Sequence, residues 1–235
     1  MDLKEIAKRV RINIINQVAD AASGHPGGSL SGVEIVTLLE FEIMNVASWD
    51  DPDRDRFVLS KGHASPLLYG VLAEKGLIPR EELKTFRKLG SPLQGHPDMH
   101  KVKGVDMSAG SLGLGVSCAA GMALAGKADG KSYRVYALLG DGEIQEGSVW
   151  ETFMAAAHYK LDNFMVFIDN NNLQIDGQVS DVMSPYPIDE KLEAFGFYVE
   201  TVEDGNDFDQ LREAILRAQK ITGRPSAIIA KTVKG

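Results

Sequence analysis

Val135-Tyr136-Ala137-Leu138-Leu139-Gly140-Asp141-Gly142 and Phe164-Met165-Val166-Phe167-Ile168-Asp169-Asn170-Asn171 are the two stretches that decide the fold. Each opens on an unbroken apolar run, Val135 to Leu139 and Phe164 to Ile168. A strand buried on both faces requires such a run. Between them, Gly147 to Tyr159 reads as a helix. Strand, helix and strand make one parallel crossover unit. Each run ends in polar residues, Gly140-Asp141-Gly142 in the first and Asn170-Asn171 in the second. Asp141 and Asn171 stand about thirty residues apart, the length of one such unit. Ligands of open parallel sheets bind outside the carboxyl ends of the strands. The reading therefore brings Asp141 and Asn171 side by side at that edge.

A carboxylate and an amide carbonyl are hard oxygen donors, suited to Mg²⁺ or Ca²⁺. Gly140 and Gly142 leave the backbone open to a phosphate. The helix starting near Gly147 offers an N-terminus to the anion. A Gly-Asp-Gly triplet alone is ordinary turn chemistry. The asparagine pair one unit later makes it a candidate cation site.

Outward from this unit, the pattern predicts further alternation. Leu3, Ile6, Ala7, Val10, Ile14, Val18 and Ala21 line one face of a first helix, with Gly24 as its left-handed cap. A second helix is expected from Ser31 to about Asn45, with Ser31 and Glu34 spaced as a capping box. Phe57 to Leu59 reads as a strand. Pro66 to Lys75 and Pro79 to Leu89 read as helices, each with proline near its start. Ser91 to Ser111 reads as a loop and Leu112 to Lys127 as a helix of small residues. Asp189 to Phe195 and Phe208 to Ile221 read as helices, Tyr198 to Val202 and Ser226 to Thr232 as strands. The expectation is an α/β fold, a parallel sheet with helices on both faces. With no repeat or linker, residues 1–235 are expected to form a single domain.

Composition narrows the function. The 235 residues carry 33 acidic and 25 basic side chains, a formal charge of −8. An acidic chain without a basic block argues against nucleic-acid binding. The charged N-terminus is no signal peptide, and Val105 to Ala125 is too rich in small residues for a membrane span. Cys118 is the only cysteine, which excludes an internal disulfide and fits a reducing, cytoplasmic setting. Inside a helix of small residues it is expected to be buried and inert.

Three histidines stand in loops beside glycine or proline: His25 in Gly-His-Pro, His63 in Lys-Gly-His-Ala and His96 in Gly-His-Pro. Each is individually an ordinary surface residue. Converging on one edge, they can donate to a developing oxyanion or shuttle protons. His100 and His158 lack that context. No short-spaced histidine pair or second cysteine supports a zinc site. Gly110-Ser111-Leu112-Gly113-Leu114-Gly115 is not the dinucleotide fingerprint, since its order is wrong and no strand precedes it.

Taken together, the motifs resemble those of the thiamine-dependent enzymes, and within them the N-terminal part of transketolase. The resemblance runs in order through Ser23-Gly24-His25-Pro26-Gly27, Asp53 to Ser60, Gly62-His63, Gly95-His96-Pro97 and Gly110-x-Leu112-Gly113-x-Gly115. It continues through Gly140-Asp141-Gly142, Glu146-Gly147, Asn171 and Ile175-Asp176-Gly177. It covers nearly the whole chain. It implies thiamine diphosphate held through Mg²⁺ or Ca²⁺, with Asp141, Asn171 and the Leu173 carbonyl as metal ligands. It implies that Gly110 and Gly142 meet the cofactor with their backbone and that Leu112 props its bent conformation. Glu146 matches an interface glutamate linked to cofactor activation. His25, His63 and His96 match histidines of the substrate channel. The implied reaction moves a two-carbon ketol unit from a ketose phosphate to an aldose phosphate, the cofactor serving as electron sink.

Whole transketolases are much longer. The pattern leaves out the second thiamine domain with its activating glutamate, the arginines that bind sugar phosphate and a further histidine downstream. The chain is thus expected to be the N-terminal subunit of a split transketolase, or a fragment, inactive without a C-terminal partner subunit. A homodimer built on Leu112 to Lys127, or a heterotetramer with the partner, is expected. The α subunit of a 2-oxo acid dehydrogenase shares the Gly-Asp-Gly and Asn pattern, but Ser-Gly-His-Pro-Gly and Gly62-His63 set this chain apart from it. Deoxyxylulose-phosphate synthase fits less well around Glu146. A non-catalytic cofactor-binding module has no use for three channel histidines.

Overall fold

A computed structural model describes residues 2–175 and 177–235, so Asp176 lies outside the described residues. In chain order the helices are α1 (Leu3–Ala21), α2 (Pro26–Leu30), α3 (Val33–Leu38), α4 (Ser65–Glu74), α5 (Leu114–Ala128), α6 (Gly147–His158), α7 (Val179–Met183), α8 (Ile188–Ala194) and α9 (Phe208–Ala218). The strands are β1 (Arg56–Leu59), β2 (Val135–Gly140), β3 (Phe164–Asn170), β4 (Leu173–Gln174), β5 (Gly177–Gln178), β6 (Tyr198–Val202) and β7 (Ser226–Lys231). Five of them form one parallel sheet in the order β1-β2-β3-β7-β6. β4 and β5 pair antiparallel as a small hairpin. Among the described residues no helix is long and apolar enough to cross a membrane.

The apolar runs are continuous because neighbouring side chains serve opposite faces of the sheet. Tyr136, Leu138, Met165 and Phe167 pack with α1, α3, α4 and α9. Val135, Ala137, Leu139, Phe164, Val166 and Ile168 pack with α5, α6 and α8. The expected parallel sheet with helices on both faces is thus present. All five strands run the same way, so Ser60, Asp141, Asn171 and Thr232 follow their strands at one edge.

Several local expectations are corrected. Ala22, not Gly24, takes the left-handed cap of α1, with φ 48°. Its N–H and that of Ser23 reach back to the carbonyls of Ala19 and Val18. The next helical segment starts at Pro26, because proline suits the first helical position. Ser31 and Glu34 form no capping box: the Ser31 hydroxyl donates to Asp169 at 2.6 Å, and Glu34 holds Arg11 at 2.7 and 2.8 Å. Long-range partners take both side chains. Only a 3-10 turn, Arg80–Thr85, forms where the spacing predicts a helix from Pro79 to Leu89. Phe86 leaves the helical region with ψ 127°, and Arg87 is left-handed with φ 61°. α5 starts at Leu114 rather than Leu112 because Gly113 has φ +81° and breaks the helix there. Cys118 is half-buried, not sealed in the core.

Candidate functional site

Asp141 follows β2 and is 2% exposed. Its Oδ1 accepts the Gly142 N–H at 2.9 Å, and its Oδ2 accepts the Asn172 N–H at 2.5 Å. The second contact joins the ends of β2 and β3, as their pairing through Gly140 and Asp169 demands. Burial pushes the Asp141 carboxyl up to about 6 against these two N–H donors, with the Asp169 charge adding to the rise. A carboxylate destabilised in this way gains from a cation.

Asn171 presents its side-chain oxygen to the Leu173 N–H at 3.0 Å, which fixes the amide beside the hairpin. Its Nδ2 leans toward Asp169 at 3.4 Å. The Leu173 carbonyl accepts the Lys234 ammonium at 3.0 Å. Tyr186 donates to Asn170 at 2.6 Å. Gln145, on the turn after Asp141, donates to Gln174 at 2.8 Å and thereby ties that turn to the hairpin. The Gly142 turn is closed by the same Gln174, whose Oε1 would lie 2.8 Å from an added Cβ.

Among the described residues no three His, Cys, Asp or Glu side chains cluster to hold a metal. One carboxylate, one amide oxygen and one carbonyl do stand at the same sheet edge, and these suit a hard divalent ion that keeps water and phosphate as its other ligands. The Leu173 carbonyl already draws a cation, the ammonium of Lys234. The donor set therefore fits Mg²⁺ or Ca²⁺ with a diphosphate.

Beneath the expected ligands lies an enclosed polar cluster. The Asp169 carboxylate accepts from Lys61 Nζ, the Ser31 hydroxyl and the Thr232 hydroxyl. Burial alone would raise Asp169, but the charge and hydrogen bond of Lys61 and the two hydroxyls hold it below the usual carboxylate range. An aspartate at the end of an apolar strand is the one sequence signal for this cluster. Lys61, Asp169, Glu143 and Lys234 are polar residues near the site that the motif reading does not single out.

The His25 and His63 rings meet edge to face, 5.2 Å between centroids. Gly28 opens that corner: a Cβ there would stand 3.2 Å from His63 Nε2. Burial, then the charge of Lys61, push His63 down to about 3. Burial and the Arg87 charge lower both His25 and His96. The His96 ring also lies 3.8 Å from where a Gly110 Cβ would be. The fold thus gathers His25, His63 and His96 with Gly110 on one side of the edge and keeps the imidazoles neutral at pH 7. Leu112, two residues beyond Gly110, is half-buried. Glu146 is exposed at the start of α6, where its side chain makes no capping bond.

Residues 3–235 match the family described as transketolase, thiamine diphosphate binding domain. The chain is 40% identical over 239 residues to the 6-deoxy-6-sulfo-D-fructose transketolase subunit SqwG of Clostridium sp. (strain MSTE9), covering 100% of this chain and 86% of that protein. It is 41% identical over 237 residues to an apulose-4-phosphate transketolase subunit of Actinobacillus succinogenes, covering 100% of this chain and 85% of the other. Its fold matches that of transketolase from Leishmania mexicana with a TM-score of 0.91 and 31% identity, over 99% of this chain but only 37% of that one.

Proposed function

Since the chain belongs to the transketolase family through its thiamine diphosphate-binding domain, we propose that it is the N-terminal subunit of a two-chain transketolase. The partner is a C-terminal subunit carrying the second thiamine domain. The reaction is transfer of a two-carbon ketol unit from a ketose phosphate to an aldose phosphate, as in the sugar-phosphate interconversions of the pentose phosphate pathway. Two relatives of nearly this chain's length bear the name of transketolase subunits, which supports a split enzyme. The 2-oxo acid dehydrogenase reading is not favoured, because these relatives are named as transketolases.

The observation that carries the reading is the Asp141–Asn172 contact of 2.5 Å, which ties the Asp141 carboxylate to the segment bearing Asn171 and the Leu173 carbonyl. In this reading those three hold Mg²⁺ or Ca²⁺, and the Gly110 and Gly142 backbone and Leu112 meet the cofactor. Thiamine diphosphate, when bound, supplies the electron sink for breaking and making a carbon–carbon bond. The neutral imidazoles of His25, His63 and His96 hydrogen-bond sugar hydroxyls and pass protons at the substrate oxygens. Glu146 faces out toward a second subunit. The α5 face is the seam of a homodimer or of a heterotetramer with the partner. Residues 1–235 act as a single domain, in the cytoplasm.

The test is a calorimetric titration of the chain with thiamine diphosphate and Mg²⁺, beside Asp141→Ala. Metal-dependent binding that Asp141→Ala abolishes is the expected result. Ketol transfer should then appear on adding a second-domain chain. Binding that ignores Mg²⁺ and survives Asp141→Ala overturns the site.

A further inference from the structure

We infer that Glu143 is a positioning residue: it clamps the loop before α5 to the turn after β2 and so sets the gap between the two backbone segments that meet the cofactor. The inference rests on the functional reading above and adds a residue to it.

Glu143 is 2% exposed, and three donors converge on its carboxylate. Oε1 accepts the Ser60 hydroxyl at 2.5 Å and the Gly113 N–H at 3.0 Å. Oε2 accepts the Gly140 N–H at 3.1 Å. Ser60 Oγ in turn accepts the Val116 N–H from the first turn of α5, at 2.9 Å. One side chain thus joins the ends of β1 and β2 to the start of α5. Gly140 is the residue before Asp141, and Gly113 closes the segment that carries Gly110 and Leu112. Gly115 packs against Ser60, and an added Cβ there would stand 2.7 Å from the Ser60 Cα, so the segments cannot slide past each other.

Every contact of the Glu143 carboxylate is with a donor, so the clamp needs an acceptor at both ends. Glutamine keeps the size but turns one end into an NH₂ group, which in either orientation faces a backbone N–H, that of Gly113 or that of Gly140. The clamp then opens without leaving a cavity. Groups that orient ligands of a metal or cofactor show their effect in affinity, by about ten- to a hundredfold.

The test titrates the full chain with thiamine diphosphate at saturating Mg²⁺, well below the unfolding midpoint of each variant. Glu143→Gln is expected to weaken binding about tenfold or more, and Ser60→Ala by a smaller factor. Glu40→Gln, at a buried carboxylate paired with Lys75 at 2.8 Å, controls for lost stability: it is expected to lower the midpoint yet leave cofactor affinity unchanged. Wild-type affinity in Glu143→Gln, or equal weakening by Glu40→Gln, overturns the inference. If Glu143→Gln does not fold, undiminished affinity in Ser60→Ala overturns it instead. Absence of binding by the wild type, or full binding by Asp141→Ala, defeats the cofactor reading itself and takes this inference with it.

Discussion

Lys61 and Asp169 form an ion pair closed to solvent, the Lys61 side chain 2% exposed and that of Asp169 fully buried. The pair is tolerable because Ser31 and Thr232 supply further donors to the carboxylate. Removing one partner of such a pair leaves the other charge desolvated, a loss of about 3–5 kcal/mol. Lys61→Met is expected to lower stability by that order in urea unfolding. A change under about 1 kcal/mol would mean that the hydroxyls alone suffice.

His63 sets a pH dependence. Its folded pKa, about 3, lies below its ordinary value. The unfolded chain therefore binds the extra proton first, and stability falls as pH drops from about 6.5 toward 3. The loss across that window is about 5 kcal/mol. Asp141, raised to about 6, acts oppositely and gains stability as pH falls from 6 toward the ordinary carboxylate range. His63→Gln isolates the histidine: urea unfolding at several pH values should show a flatter acid limb than in the wild type. An unchanged slope would remove His63 as the cause.

At Asp141, ligand binding and stability should separate. Asp141→Asn removes a desolvated charge but turns an NH₂ group toward an N–H donor, two effects of opposite sign. We expect the cofactor-free stability to change by less than about 1 kcal/mol, while Mg²⁺-dependent binding is lost. Paired urea and calorimetric measurements check this, and retained binding would exclude Asp141 as a metal ligand.

Gly62 sits between Lys61 and His63 with the Ala109 carbonyl packed where its Cβ would be. The neighbour is backbone and has little room to retreat. Gly62→Ala is expected to destabilise by about 1–3 kcal/mol and to weaken cofactor binding through the displaced 108–111 segment. Thermal unfolding and titration report both effects, and a variant as stable as wild type would show that the segment yields freely.

The proposed self-association through α5 has its own test. Leu124 and Met154 are apolar and 37% and 60% exposed on α5 and α6. Leu124→Glu with Met154→Glu should shift the chain toward monomer in sedimentation at micromolar concentration, leaving its unfolding midpoint within a few degrees. Unaltered sedimentation overturns the α5 seam.

The sheet is legible in the sequence because burial on both faces removes polar residues from whole strands. Val135 to Leu139 and Phe164 to Ile168 stand out for that reason. The carboxyl-edge rule then brings Asp141 and Asn171 together, and the glycine-flanked histidines converge near them. Ser31 and Glu34 mislead because their spacing is local while their partners are not: Ser31 meets Asp169 across 138 residues. Sequence separation likewise hides Lys61 and Lys234, and the Glu143 contacts with Ser60 and Gly113, whose partners are set by tertiary packing. The segment after Pro79 fails as a helix for a similar reason, since Phe86 is drawn into the core against Tyr69 and the chain must turn there.

The Asp169 carboxylate gathers side chains from widely separated parts of the chain: Ser31 just after α2 and Thr232 just after β7. Contacts so distant in sequence form late in folding, because the loops between them must close first. A ribosome-bound chain still lacking β7 has no Thr232 to bring to this carboxylate and no Lys234 to bring to Leu173. The candidate site is therefore assembled only once the chain through Lys234 is available to fold, and its two halves close in the same late event.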